Sequence, residues 1–464
     1  MNNAESQTGE SIASNLLAYQ HVWEAPRFCK PLTATSFAST RESVQKNTRA
    51  ELETAVQGRL KHAVLAERFP QAPADSLSMW IADMDTQPHS AIATAIAQCA
   101  NERYGYQTDT LQKSVSSWHG VPSENVIGVA SVISAVDVAL KTFCRSGDDV
   151  MIFDTTYGPL VDCIINNNLN VHSVHFKTDT NNDANRHGKD KSPIVDVSVL
   201  SQNATAFVLC HPNNPTGTVL SAELQAEIIQ FCHENNITII TDEVHSEFGF
   251  VDEDSPGAIP LFGSGVDRHL QKNIVHINSA SKAFNLAAIP GGSYAIIDDS
   301  ERREAFRAAI TSRHLDASNL SQIALQAAYN NSKQWLDEVR SAIALNRKLV
   351  HFYFKEHHIK CIYTMGQAGY FLWLCLSDAH HALPAQKNST VQTLRQDQTK
   401  DISLLFGSND KSTVFKPASD FETCIKRGVI GSDGSLFNAP GFIRLNLACH
   451  PLQIIEALNR LFFV

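Results

Sequence analysis

A lysine set among small residues at the exit of an apolar run is well placed to hold a carbonyl-bearing ligand covalently. Lys282 occupies such a place, in Ser279-Ala280-Ser281-Lys282-Ala283-Phe284-Asn285, directly after the strand-like run Ile274 to Ile277. Partial desolvation there favours the neutral amine, the form that makes a Schiff base. Upstream, in chain order, come Tyr157, the sequence Asn213-Asn214-Pro215-Thr216-Gly217, and Asp242-Glu243-Val244-His245. Singly, each has an ordinary reading. A lone lysine is a solvated amine, an Asp-Glu pair at a strand end caps a helix, and Asn-Pro-Thr-Gly turns the chain without any ligand. The order Tyr, Asn, Asp, Lys, each near a strand exit, carries the chemical meaning.

That set matches what a protein must supply to pyridoxal phosphate: a lysine, an anion for the ring nitrogen, donors to the ring oxygen, a phosphate cradle and a ring cover. Lys282 and Tyr157 are the candidate catalytic residues. Asp242 suits the ring nitrogen, because a carboxylate there keeps it protonated. Asn214 and Tyr157 suit the two sides of the ring oxygen.

The elements around these residues predict an α/β fold. Val150 to Phe153, Ala206 to Cys210, Ile237 to Thr241, Ile274 to Ile277 and Tyr294 to Ile297 are short apolar runs of the kind buried strands make. Between them, Ala135-Val136-Ala139-Leu140-Phe143 and Leu224-Ile228-Phe231-Cys232 repeat near 3.6 residues, as amphipathic helices do. Such alternation implies a largely parallel sheet covered on both faces, with ligands bound beyond the carboxyl ends of the strands. Asn214, Asp242 and Lys282 should therefore line one crevice. After about residue 320 the pattern changes to a long helical stretch, Leu320 to Glu356, strand candidates Tyr370 to Leu374 and Gly441 to Asn446, and a last helix, Leu452 to Phe463. The expected organisation is a leader over 1–35, a segment over 36–75 packing with the small domain, a large domain over 76–320 and a small α+β domain over 321–464.

Composition sets the bounds. The 464 residues are 43% hydrophobic and 19% charged, which allows a sizeable core. The net charge of −10 and pI near 6.0 argue against nucleic acid or an anionic membrane as partner. No apolar stretch approaches the roughly 20 residues that span a bilayer. Met1 to Pro26 has no Lys or Arg and reads as neither a secretory signal nor a transit peptide. Ten scattered cysteines without a Cys-x-x-Cys pair read as reduced thiols, and the expected location is cytoplasmic. The 19 histidines include no His-Glu-x-x-His, so no metal site is expected. Two polar stretches stand out as inserts: Lys177 to Ser192 reads as an exposed loop, and Ala385 to Ser412 contains an apolar run, Ile402 to Phe406, that could pack.

Beyond these residue-level readings, the chain resembles the fold-type I pyridoxal phosphate enzymes of the class I/II aminotransferase superfamily. Within them it is most similar to the MalY/PatB branch of cystathionine β-lyase-like C–S lyases. The resemblance rests on Trp80-Ile81-Ala82-Asp83-Met84-Asp85, Tyr104-Gly105-Tyr106, Asp154-Thr155-Thr156-Tyr157-Gly158-Pro159, Pro212 to Gly217, Asp242 to Ser246, Ser279 to Leu286 and Phe442-Ile443-Arg444-Leu445-Asn446. It implies a mainly parallel seven-stranded sheet in the large domain. Lys282 would be the Schiff-base lysine and Asp242 the ring-nitrogen partner, with Tyr157, Asn214 and His245 around the ring. Arg444 would hold the substrate carboxylate with Ala82 beside the substrate, Ser279 would touch the phosphate, and Tyr106 would reach the phosphate of a second subunit in a homodimer. Where relatives have a glycine before the phosphate-binding helix, this chain has Ala130-Ser131-Val132-Ile133-Ser134, so Ser131, Val132 and Ile133 would supply that cradle. His211 and Asn213 replace the usual Asn and His of that turn, and Ala288 to Gly292 is one residue longer than usual.

The expected reaction is cleavage of cystathionine or a related cysteine S-conjugate to thiol, pyruvate and ammonia. The same residues would also serve an aminotransferase, and a regulatory protein that keeps the cofactor with little turnover is a third reading.

Overall fold

The computed structural model describes residues 15–16, 18–23, 60–102, 111–175, 197–252, 254–289, 292–376 and 418–463. The polar inserts fall outside these residues, as do the leader apart from a few residues and the Tyr104-Gly105-Tyr106 segment.

A short strand, Leu77–Ser78 (β1), leads into the large sheet. That sheet is built from Val126–Val129 (β2), Asp149–Phe153 (β3), Asn170–Val174 (β4), Ala206–Cys210 (β5), Thr238–Asp242 (β6), Ile274–Ser279 (β7) and Ser293–Ile296 (β8). Its seven strands lie in the order β2-β8-β7-β6-β5-β3-β4. β8 runs antiparallel to both its neighbours, while β7, β6, β5, β3 and β4 pair in parallel. The expected five apolar runs are five of these strands, with ends within two residues. Every residue of β5, β6, β7 and β8 is buried. Alternate side chains divide between two cores, as the two-residue period of a strand requires. Val150, Ile152, Ala206 and Val208 pack under the helices Val132–Phe143 and Ser300–Ser312. Met151, Phe153, Phe207 and Leu209 pack under Ala222–Glu234 on the other face.

The remaining strands are Tyr363–Thr364 (β9), Phe371–Cys375 (β10), Val429–Ile430 (β11), Ser432–Asp433 (β12) and Phe442–Asn446 (β13). They form a four-stranded antiparallel sheet, β12-β13-β10-β9, and a parallel pair of β1 with β11. The helices Lys333–Glu356 and Pro451–Phe462 cover this part, with Leu349, Tyr353, Leu458 and Phe462 in one core. Leu77 and Met79 join that core, so the chain visits the C-terminal part before it builds the large sheet.

The long helical stretch expected from Leu320 to Glu356 is two helices, Asn319–Asn331 and Lys333–Glu356, broken at Ser332. Ser332 is buried with ψ at 17°, and its hydroxyl reaches Ala327 O at 3.3 Å and His89 Nδ1 at 3.0 Å. A serine whose side chain competes for backbone partners is a helix interrupter, and periodicity does not see it.

The turn Asn213 to Gly217 is fastened to the C-terminal part. Gly217 O accepts from Gln367 N at 2.8 Å and from Ala368 N at 2.9 Å. Gly217 has φ +71°, and a Cβ there would lie 2.4 Å from the carbonyl oxygens of both Met365 and Ala368. Gly217→Ala should lower stability by at least about 1–3 kcal/mol through backbone strain, read as a fall in the urea unfolding midpoint.

Candidate active site

The crevice forms where parallel strands end. β5 runs into Asn214 through the cis peptide His211–Pro212, β6 ends on Asp242, and β7 runs through Ser279 into the short helix Ala280–Ala283 that carries Lys282. Tyr157 follows β3 and caps the helix Gly158–Asn166, and Arg444 comes from β13. Lys282, Asp242, Arg444, His245 and Tyr157 are close enough to perturb one another's ionisation.

Arg444 is the most telling group. It is buried, yet no carboxylate among the described residues pairs with it. Its guanidinium donates to Asn214 Oδ1 at 2.7 Å, to Trp80 O at 2.9 Å and to Ser432 Oγ at 3.1 Å. It lies between the rings of Phe371 and Phe437, 4.3 and 4.9 Å from their centres. Its Nε is buried without a hydrogen-bond partner. Burial pulls its pKa down to about 10, so it remains a cation. A buried cation held only by neutral acceptors and ring faces has a charge that the fold itself leaves uncompensated.

Asp242 is the opposite case, a buried carboxylate whose side chain accepts from Val244 N at 3.2 Å. Burial raises its pKa to about 6; the Val244 N–H and Lys282 offset part of that, and Glu243 adds to it. Beside it, Glu243 is held ionised by His276, 2.7 Å away, which outweighs the cost of its burial. Burial, with the cations Lys282 and Arg444, keeps His245 neutral, and its Nδ1 is buried without a partner.

Lys282 is half-buried and donates from Nζ to Ala82 O at 2.9 Å. Burial, then Arg444, lowers its pKa to about 8, against the pull of Asp83 and Asp242. At neutral to mildly alkaline pH a substantial fraction of the amine is free to act as a nucleophile or base.

At the other predicted positions the picture is mixed. Ser131 caps the helix Val132–Phe143, its Oγ accepting from Ser134 N at 3.1 Å while Ser134 Oγ accepts from Ser131 N at 3.1 Å. The first-turn N–H groups of Val132 and Ile133 stand at the start of a twelve-residue helix, the place where phosphate is favoured. Ser279 Oγ donates to Gly292 O at 2.8 Å and accepts from Ser281 N at 3.0 Å, so its proton is engaged within the fold. His211 Nε2 accepts from Leu220 N, and Asn213 bonds Thr216 and Thr155, so both substitutions serve the turn. Of the lengthened stretch, Pro290 and Gly291 lie outside the described residues.

No local pattern around Ala82 indicates how its segment is held. Trp80 to Thr86 has no helix or strand, and groups around the site bind its carbonyls. Asn446 Nδ2 donates to Ile81 O at 2.8 Å and to Asp83 O, and Tyr370 Oη to Ala82 O at 3.1 Å. Asn285 donates to Met84 O at 2.9 Å and to Thr86 O at 3.0 Å, and accepts from Met84 N at 3.0 Å. Asn285 has φ +56°, which aims it back at this segment.

These groups fit pyridoxal phosphate: a buried carboxylate with no cation bonded to it and a neutral imidazole with an orphaned nitrogen lie near a lysine of lowered pKa, and the Val132–Phe143 helix offers an N-terminus of the kind that favours phosphate. Fold and site together define the class of lysine-dependent α/β enzymes that use this cofactor. The aminotransferase class I and II family profile matches residues 82–461, and the chain belongs to that family. It is similar to cystathionine beta-lyase PatB of Bacillus subtilis, with 26% identity over 403 residues, 83% of this chain and 92% of that protein. Protein MalY of Escherichia coli is 26% identical over 329 residues, 67% of this chain and 79% of that one. Among solved structures, a PLP-bound putative aminotransferase from Clostridium difficile 630 superposes with a TM-score of 0.70 at 23% identity, covering 87% and 95% of the two chains. Cystalysin from Treponema denticola, which contains pyridoxal 5'-phosphate, does so with 0.69 at 22%, covering 90% and 96%. No described helix is long and apolar enough to cross a membrane.

The raised pKa of Asp242 has a defined sign. Its folded value lies above its unfolded one, so its contribution to stability is full below about pH 4 and is lost as pH rises through about 6. In the cofactor-free protein, Asp242→Asn should gain on the native chain over that window, by on the order of 3 kcal/mol, measured as the difference in urea unfolding free energy.

Proposed function

We propose that the protein is a pyridoxal phosphate-dependent C–S β-lyase that cleaves cystathionine or a related cysteine S-conjugate to thiol, pyruvate and ammonia. The observation that carries this reading is the buried Arg444, open to an anion, in the same crevice as the depressed amine of Lys282. The similarity to cystathionine beta-lyase PatB over most of both chains supports the choice of reaction.

The cofactor supplies, when bound, a carbonyl for amine exchange and a ring that withdraws electrons from the substrate α-carbon. Lys282 would hold it covalently, Asp242 would face its ring nitrogen, Tyr157, Asn214 and His245 would surround the ring, and Ser131, Val132, Ile133 and Ser279 would lie toward its phosphate. Arg444 orients the substrate by its carboxylate, while Asn214, bonded to the guanidinium, fixes the guanidinium plane. Lys282 Nζ would take the proton from the substrate α-carbon. The Ala82 carbonyl, already its acceptor, keeps that nitrogen on the substrate side. Tyr157, with its phenol held protonated by burial and by Asp242, is a proton donor beside the reacting atoms. The reading also includes a homodimer with shared sites through Tyr106, a cytoplasmic location, and the division into large and small domains near residue 320.

Purified protein loaded with cofactor and incubated with cystathionine, without a keto acid, should release pyruvate and thiol in equal amounts. Loss of cofactor absorbance without pyruvate, restored by a keto acid, would instead identify an aminotransferase. Arg444→Lys should raise KM roughly thirty- to hundred-and-fifty-fold, as expected when about 2–3 kcal/mol of charged hydrogen bonding is lost, while Lys282→Ala should abolish turnover.

A further inference from the structure

We propose that Lys61 is a positioning residue for Lys282, acting through the Trp80–Thr86 segment. It rests on the reading of Lys282 as the cofactor lysine.

Lys61 lies in the short helix Leu60–Ala63, over 200 positions from Lys282 in the chain, and is 1% exposed. Its backbone and side chain both grip the same stretch. Lys61 O accepts from Ser78 Oγ at 2.6 Å and from Trp80 Nε1 at 3.0 Å. Its Nζ forms ion pairs with Asp83 at 2.7 Å and Asp85 at 2.6 Å. One residue therefore contacts three members of the segment whose Ala82 carbonyl accepts from Lys282 Nζ, and Ser78 just before it.

The charges are matched to that task. Burial works against the Lys61 ammonium, but the Asp85 and Asp83 carboxylates outweigh it and hold its pKa above the usual lysine value. Burial likewise opposes Asp85, and Lys61 with His62 outweighs it, so its carboxyl stays ionised. His62 lies 3.9 Å from Asp85, and the Cys449 thiol is the other titratable group at this cluster. Lys282 faces Asp83, Asp242, Arg444 and His245, with the Tyr370 phenol on the shared Ala82 carbonyl. Asp83 thus sits between two lysines. While Lys61 balances its charge, Asp83 draws less on the Lys282 amine, and the amine loses its proton more readily. Without Lys61, two neighbouring carboxylates repel, Ala82 moves with them, and Asp83 holds Lys282 protonated.

The test uses the full chain, with two readouts besides activity. One is the pH dependence of Lys282 acylation by acetic anhydride, read by peptide mass spectrometry. The other is the pH midpoint of the visible absorbance change after loading with pyridoxal phosphate. Lys61→Met should raise both midpoints by about one unit, the effect of one uncompensated charge at an effective dielectric near 20, and lower kcat more than KM. Lys61→Arg should keep them, and Lys61→Met with Asp83→Asn should bring them back. A folded Lys61→Met protein with unshifted midpoints overturns the proposal. If Lys61→Met does not fold, Asp83→Asn decides: its midpoints should fall below those of the native chain, and unchanged values overturn the role. Acylation reports on the amine whether or not cofactor binds. Absence of a cofactor linkage at Lys282 in the native chain would therefore refute the cofactor reading separately.

Discussion

The segment from Trp80 to Thr86 runs through the site without helix or strand, so its backbone polar groups must find partners elsewhere. A buried carbonyl left unpaired costs as much as a lost hydrogen bond. Here the partners are site residues: Arg444 and Ser432 on Trp80, Asn446 on Ile81 and Asp83, Lys282 and Tyr370 on Ala82, Asn285 on Met84 and Thr86. The need to satisfy one irregular stretch thus fixes side chains from β12, β13, the residue before β10, the Lys282 helix and the turn after it relative to one another. The crevice is held in shape before any ligand enters.

The second constraint is electrostatic. The large sheet brings Asp242 and Lys282 to the ends of adjacent strands, and the C-terminal sheet brings Arg444 opposite them. The strands that do this are buried on both faces, so little water reaches their ends to screen charge. Each group is shifted toward its neutral form, Asp242 upward and Lys282 and Arg444 downward. Elsewhere the fold pairs its buried charges locally, as Glu247 does with Arg340 at 2.6 Å and Glu243 with His276 at 2.7 Å. The contrast separates the two kinds of buried charge: those closed within the protein, and those left open to a ligand.

The strands that were legible in the sequence are those whose burial on both faces writes a continuous apolar run. β2 and β4 were not read. β2 is four residues with Gly128 inside it, and β4 lies at the sheet edge with only Val174 buried and the polar Asn170, His172 and Ser173 breaking its apolar pattern. The interruption at Ser332 escaped because the apolar period continues across it; only the hydroxyl's choice of partner breaks the helix. The site was legible to the extent that each group follows a strand closely, which is why Asn214, Asp242 and Lys282 were expected in one crevice.

The sequence by itself determined the chemical types, their order and the parallel sheet that gathers them, because strand length, period and strand-exit position are local properties. Only the tertiary structure decided which charges would be balanced. Arg444, packed against residues hundreds of positions away, lacks a carboxylate partner among the described residues, while Lys61 has two in a segment about twenty residues on. No local pattern encodes that difference: ionisation depends on the burial and the neighbours each group acquires on folding.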